Sequence, residues 1–101
     1  MSLQAKILSL ISGIDDPEIR MEIARTIYFL FDVFRSGNVK EDEIYQALFD
    51  VALTVVNYKE PFLPDDEKRK KAGQIADELY SMFKMQSLFY KTFKRTSLPR
   101  F

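Results

Sequence analysis

The sequence predicts an all-α protein: a small four-helix bundle with a short N-terminal helix, a helix 2–helix 3 hairpin and a long C-terminal helix. Three observations point there. In the last third of the chain Ala72, Ile75, Leu79, Met82, Gln86, Phe89 and Phe93 are separated by 3, 4, 3, 4, 3 and 4 residues, the a/d spacing of a heptad. Glycine and proline number only three and four among 101 residues, too few turn formers for many short strands. Helix starts and stops are also readable, as at Asp16-Pro17-Glu18 and Gly37, where a capping carboxylate, a first-turn proline and a left-handed glycine would stand.

The first helix is predicted over Leu3 to Ser12, with Leu3, Ile7, Leu10 and Ile11 on one face and Gly13 ending it. Residues 7–14 are apolar but too short and poorly flanked for a signal peptide, and read as helix. Asp16 caps the second helix, which runs to about Arg35 on an inner line of Ile19, Ile23, Ile27, Leu30 and Phe34. The run Ile27-Tyr28-Phe29-Leu30-Phe31 makes its second half apolar nearly all round, as in a helix contacted on several sides or by another chain.

A turn at Arg35-Ser36-Gly37-Asn38 leads to the third helix, which starts near Glu41 with Val39 and Ile44 spaced as a hydrophobic staple around Lys40. Its expected buried line is Ile44, Leu48, Val51, Val55 and Tyr58, with Ala47 and Ala52 allowing close approach. Val51, Thr54, Val55 and Val56 are β-branched and favour strand, but the 3–4 spacing continues through them. Pro61 and Pro64 enclose a connector in which Phe62 and Leu63 are expected to plug the bundle end. The fourth helix follows from Asp65 or Asp66 to about Arg95, with Ala76, Phe83 and Tyr90 widening its seam. It spans roughly 42 Å, against roughly 27 Å for each hairpin helix. Residues 1–95 then form one domain and 96–101 a short basic tail.

Composition narrows the chemistry. With 47% apolar and 30% charged residues the chain is globular. It has no Cys, His or Trp, which removes disulfides, zinc–thiolate sites, cysteine nucleophiles and histidine acid–base chemistry. A cysteine-free chain with no apolar run of membrane-spanning length suits the cytoplasm, the expected location. Net charge is zero but divided. Residues 1–67 hold six Lys/Arg and thirteen Asp/Glu, giving −7, and residues 68–101 hold nine and two, giving +7. Such polarity supports internal pairing, self-association or an anionic partner.

Three local patterns bear on function. Asp32 to Glu43 resembles an EF-hand calcium loop, with Asp32, Ser36, Gly37, Val39 and Glu43 at loop positions 1, 5, 6, 8 and 12. The resemblance implies a calcium site, but Phe34 and Lys40 occupy positions 3 and 9, and the oxygens fall short of the six to eight calcium takes. A helix hairpin that needs Gly37 to turn explains the same residues. Read as a helix-turn-helix, the hairpin would present Glu41, Asp42 and Glu43 to phosphates, a repulsive arrangement.

The third pattern is cationic. Lys68, Arg69, Lys70 and Lys71 form a cluster near the start of the fourth helix, and Lys84, Lys91, Lys94 and Arg95 are interleaved with aromatics further along. These eight residues are the expected contacts for nucleic acid or another anionic partner; as a solvated face they would only confer solubility. Residues 86–93 also resemble a sliding-clamp-binding peptide, departing from it at Thr92.

No catalytic constellation, cofactor or metal site emerges. The acidic pairs Asp15/Asp16, Glu18/Glu22 and Asp65/Asp66 fall at caps or exposed faces, and no glycine-rich phosphate loop is present. Met82, Leu88, Phe89, Tyr90 and Phe93 form the expected protein interface, because the fourth helix outruns the hairpin that should cover it. The sequence thus points to a non-enzymatic accessory or adaptor subunit, as in a nucleic-acid-processing complex such as a polymerase assembly, bound to another protein or to its own copy. Direct, non-sequence-specific nucleic-acid binding through the basic helix is the alternative, and a degenerate EF-hand-like protein a minor one. Neither a membrane nor a small-molecule substrate is expected.

Overall fold

The structure, a computed structural model, describes the backbone of residues 2–97 and the side chains of residues 2–88. Four helices follow in order: α1 (Leu3–Ile11), α2 (Pro17–Ser36), α3 (Glu41–Lys59) and α4 (Asp65–Ser97), and no strand occurs among the described residues. The all-α bundle predicted from sequence is what forms.

Local chemistry sets the boundaries. The Ser2 hydroxyl accepts from the Ala5 N–H at 3.0 Å to start α1. Asp16 accepts from the Glu18 N–H at 2.9 Å, with Pro17 in the first turn of α2, where its missing N–H costs nothing. Gly13 and Gly37 take φ of +89° and +75°, the left-handed region where a Cβ is strained. α3 starts at Lys40 without a side-chain cap, its first turn relying on Glu41, Asp42 and Glu43 against the helix dipole. The β-branched stretch after Val51 is helical throughout.

The hairpin of α2 and α3 lies against α4, and the α3–α4 contact is the most extensive in the bundle. Tyr45 and Glu41 of α3 meet Asp77 and Tyr80 of α4, while Glu60 after α3 meets Lys71; the two helices are therefore antiparallel. Ala52, Ala72 and Ala76 are fully buried, and their short side chains allow the backbones to approach closely. Around them Ile7, Ile27, Ile44, Leu48, Val55, Leu79 and Phe83 are the largest fully buried side chains. Val39 and Ile44 belong to the same apolar cluster, as the staple spacing implies.

Several expectations are corrected. The buried stripe of α4 runs through Ala72, Ala76, Leu79, Phe83 and Ser87, whereas Ile75, Met82 and Gln86 are only half-buried. The buried side of α4 includes Phe83, which packs on Phe31 and Phe34 of α2. Tyr58 is half exposed, and Val56 takes the buried position beside Ala52 and Ala72. In the connector Leu63 packs against that small cluster, but Phe62 remains 79% exposed, since one side chain fills the available gap. α4 also extends past Arg95 to Ser97.

The glycines give opposite expectations. Gly37→Ala should destabilise the fold by about 1 kcal/mol, because φ is positive there although the space around it is open. Gly73→Ala, inside α4 with nothing within 4 Å of the new methyl group, should stabilise it by about 0.5–1 kcal/mol. Urea unfolding of both variants checks the pair.

Candidate interaction surface

α4 is held upright by aromatic and polar ties. Phe83 is buried against Phe31 and Phe34, with ring centroids 5.1 and 5.7 Å away. Tyr80 meets Phe34 and Tyr45 edge-on at 5.8 and 6.0 Å. The Tyr45 hydroxyl donates to Asp77 at 2.6 Å and the Tyr80 hydroxyl donates to Glu41 at 2.5 Å. Each bond favours the protonated phenol. The pKa of Tyr80 is pushed up to about 12, first by this hydrogen bond, then by desolvation and the carboxylate charge; Asp77 raises that of Tyr45 in the same way.

These ties divide the predicted cationic cluster. Lys71 is half-buried, with both Glu60 carboxylate oxygens 2.8 and 2.9 Å from its ammonium. It is therefore a strut between the connector and α4, although its side chain remains 45% exposed. Lys68 is half-buried beside Leu53 and Asn57 of α3, leaving Arg69 and Lys70 exposed. The Lys84 ammonium lies 5.0 Å from the centre of the Tyr80 ring, a cation–π contact that still leaves it accessible. The side chains of Lys91, Lys94 and Arg95 lie outside the described residues.

Apolar surface collects along the upper part of α4. Met82 is half-buried, and Leu88 is 68% exposed. Met85, which the heptad reading passed over, is 69% exposed; its place three residues after Met82 was the available signal. An open groove of about 590 Å³ runs here, lined by Lys6, Asp77, Glu78, Ser81, Met82, Met85 and Gln86. On the opposite flank a cleft of about 470 Å³ lies between the α2–α3 turn at Gly37 and Ser87 and Leu88. The hairpin turn thus borders α4 at Ser87 and Leu88, and the helix backbone continues to Ser97. The Phe89, Tyr90 and Phe93 side chains lie outside the described residues. Elsewhere Met21, Tyr28 and Phe29 are exposed on α2, whereas Phe31 turns inward to Phe83.

The residues resembling a calcium loop have other partners. Asp32 pairs with Arg35 at 3.3 Å, and the Ser36 hydroxyl donates to the Val33 carbonyl at 2.6 Å. Both belong to α2, whereas Glu43 belongs to α3. Among the described residues no three His, Cys, Asp or Glu side chains gather as a metal site. The paired carboxylates at Asp15/Asp16, Glu18/Glu22 and Asp65/Asp66 are all exposed. No described helix is long and apolar enough to cross a membrane. Comparison with protein families, curated proteins and solved structures finds no match for this chain.

The tyrosine ties carry a pH signature. A phenol whose folded pKa exceeds its unfolded value of 10.0 contributes stability that is intact below about pH 10 and lost as pH rises through about 12. Tyr80→Phe should cost about 1 kcal/mol at neutral pH and flatten the alkaline fall in stability over that window. Chemical denaturation at a series of pH values reads both effects.

Proposed function

We propose that this chain is a non-enzymatic accessory or adaptor module that acts by docking to protein, with the upper end of α4 as the docking element. The observation that carries the reading is that Met85 and Leu88 are both about two-thirds exposed on a helix whose backbone continues to Ser97. Apolar surface grouped in this way is characteristic of an interface. The −7 body and +7 end of the sequence suit an assembly with charged surfaces, such as a nucleic-acid-processing complex.

Direct nucleic-acid binding is the second reading, and Arg69, Lys70 and Lys84, exposed on α4, favour it. It is weakened by the commitment of Lys71 to Glu60 and by the Glu41–Glu43 carboxylates at the start of α3.

Affinity capture from the native host after nuclease treatment separates the two. Docking predicts a protein partner retained through nuclease and lost with Met85→Glu or Phe89→Ala, with nucleic-acid affinity unchanged. Direct binding predicts instead a gel shift that weakens steeply with salt and disappears when Arg69 and Lys70 are reversed in charge.

A further inference from the structure

α2 has two contrasting sides. Its buried line of Ile23, Ile27 and Leu30 joins the core. At roughly 100° per residue the opposite side carries Met21, Arg25, Tyr28, Phe29 and Asp32, and all five are exposed. Met21, Tyr28 and Phe29 are 59%, 42% and 63% exposed, an apolar group rather than a single surface residue. The two charges among them are available. Among the described residues Arg25 makes no hydrogen bond or ion pair, although Glu22 lies three residues before it. Asp32 meets Arg35 through one carboxylate oxygen at 3.3 Å, and its side chain stays 70% exposed, so it can accept a second guanidinium.

We infer that a second copy of this chain covers this face, its α2 lying antiparallel to the first. The order of charges along the stripe selects that occupant. Arg25 and Asp32 stand at equal distances, about one turn, to either side of the Tyr28–Phe29 step. A two-fold axis through that step brings Arg25 level with Asp32 of the second copy, and Asp32 level with its Arg25. Each opposite-charge contact is thus made twice, as an isologous pair requires. The same axis sets Phe29 beside Phe29 and Tyr28 beside Tyr28, one aromatic pair on each side of the seam. Met21 falls level with Ser36 of the second copy, a small exposed residue at the end of α2. A parallel copy would instead set Arg25 against Arg25 and Asp32 against Asp32, a repulsive register. A ligand of a single charge sign would likewise meet one charge of its own kind.

This face is separate from the α4 surface, so the two readings fail separately. Sedimentation equilibrium of the full chain tests the inference. One helix pair from Met21 to Ser36 is at the small end of specific interfaces, so half-dimerisation is expected at about 100 μM. Phe29→Glu, Arg25→Asp and Asp32→Arg should each weaken the dimer at least about tenfold. Arg25→Asp mixed with Asp32→Arg should recover a mixed dimer, because both contacts are then between opposite charges. Met85→Glu, which tests the α4 reading, should leave this dimer unchanged. Circular dichroism confirms that each variant remains helical. If Asp32→Arg loses helix along with its Arg35 contact, Phe29→Glu and Arg25→Asp decide alone, and a dimer that survives both overturns the inference. So does a wild-type monomer up to about 1 mM, a dimer that Met85→Glu abolishes, or a folded swapped pair that stays monomeric.

Discussion

The close antiparallel contact between α3 and α4 is the constraint on which the rest of the bundle depends. Alanine at 52, 72 and 76 brings the two helix backbones together with no side chain exposed between them, and the saving in separation is what lets Tyr45 reach Asp77 and Tyr80 reach Glu41. Those bonds fix the rotation of α4 about its axis. That rotation directs Phe83 inward to the rings of Phe31 and Phe34 and leaves Met85 facing outward. Packing at the base of the bundle and exposure near its top are two results of one helix–helix geometry. A larger residue at any of the three alanines would act on both.

The basic residues of α4 show why a charge run in sequence is a poor guide to a charged surface. Four consecutive cations occupy more than a full turn, so they point in different directions around the helix. Lys71 meets Glu60, and Lys68 lies against α3, so only part of the run is presented to solvent. The Lys71–Glu60 pair is roughly two-fifths exposed and adds little stability by itself. Its effect is positional, since it links the connector to the helix it precedes. Lys6 with Glu78 does the same for α1.

What could be read from sequence was local. Asp16, Pro17 and Gly37 declare helix ends through their own backbone and side-chain chemistry, so the boundaries of α2 needed no tertiary knowledge. The periodicity of α4 was equally legible as far as it identified a helix with a buried face. It did not identify which flank is deepest. That depends on tertiary packing against α2 and α3, which puts Phe83 at the centre of the core with Met82 at its edge. Phe62 and Leu63 were indistinguishable by composition, and only the volume beside Ala52 and Ala72 chose between them. Leu88 and Met82 were expected at an interface because a long helix should outrun a short hairpin; Leu88 is exposed and Met82 half-buried. Met85 was passed over because the heptad assigned it no role, and the partner of Lys71 was not legible because Glu60 is eleven residues away across two prolines.

The manner in which α1 is attached bears on the order of assembly. With nine residues it is too short to hold helical structure by itself in water. Its polar attachments reach far along the chain: Lys6 to a residue 72 positions away and the Ser9 carbonyl to one 50 positions away. Contacts between such distant positions bear the full entropy of closing the intervening loop. The full seat for Leu3, Ile7 and Leu10 exists only once α2 and α4 have come together. The first helix thus acquires part of its template from α2 and the rest only from α4. Until α4 has folded against α3, only α2, the neighbour of α1 in sequence, can cover part of the N-terminal apolar face.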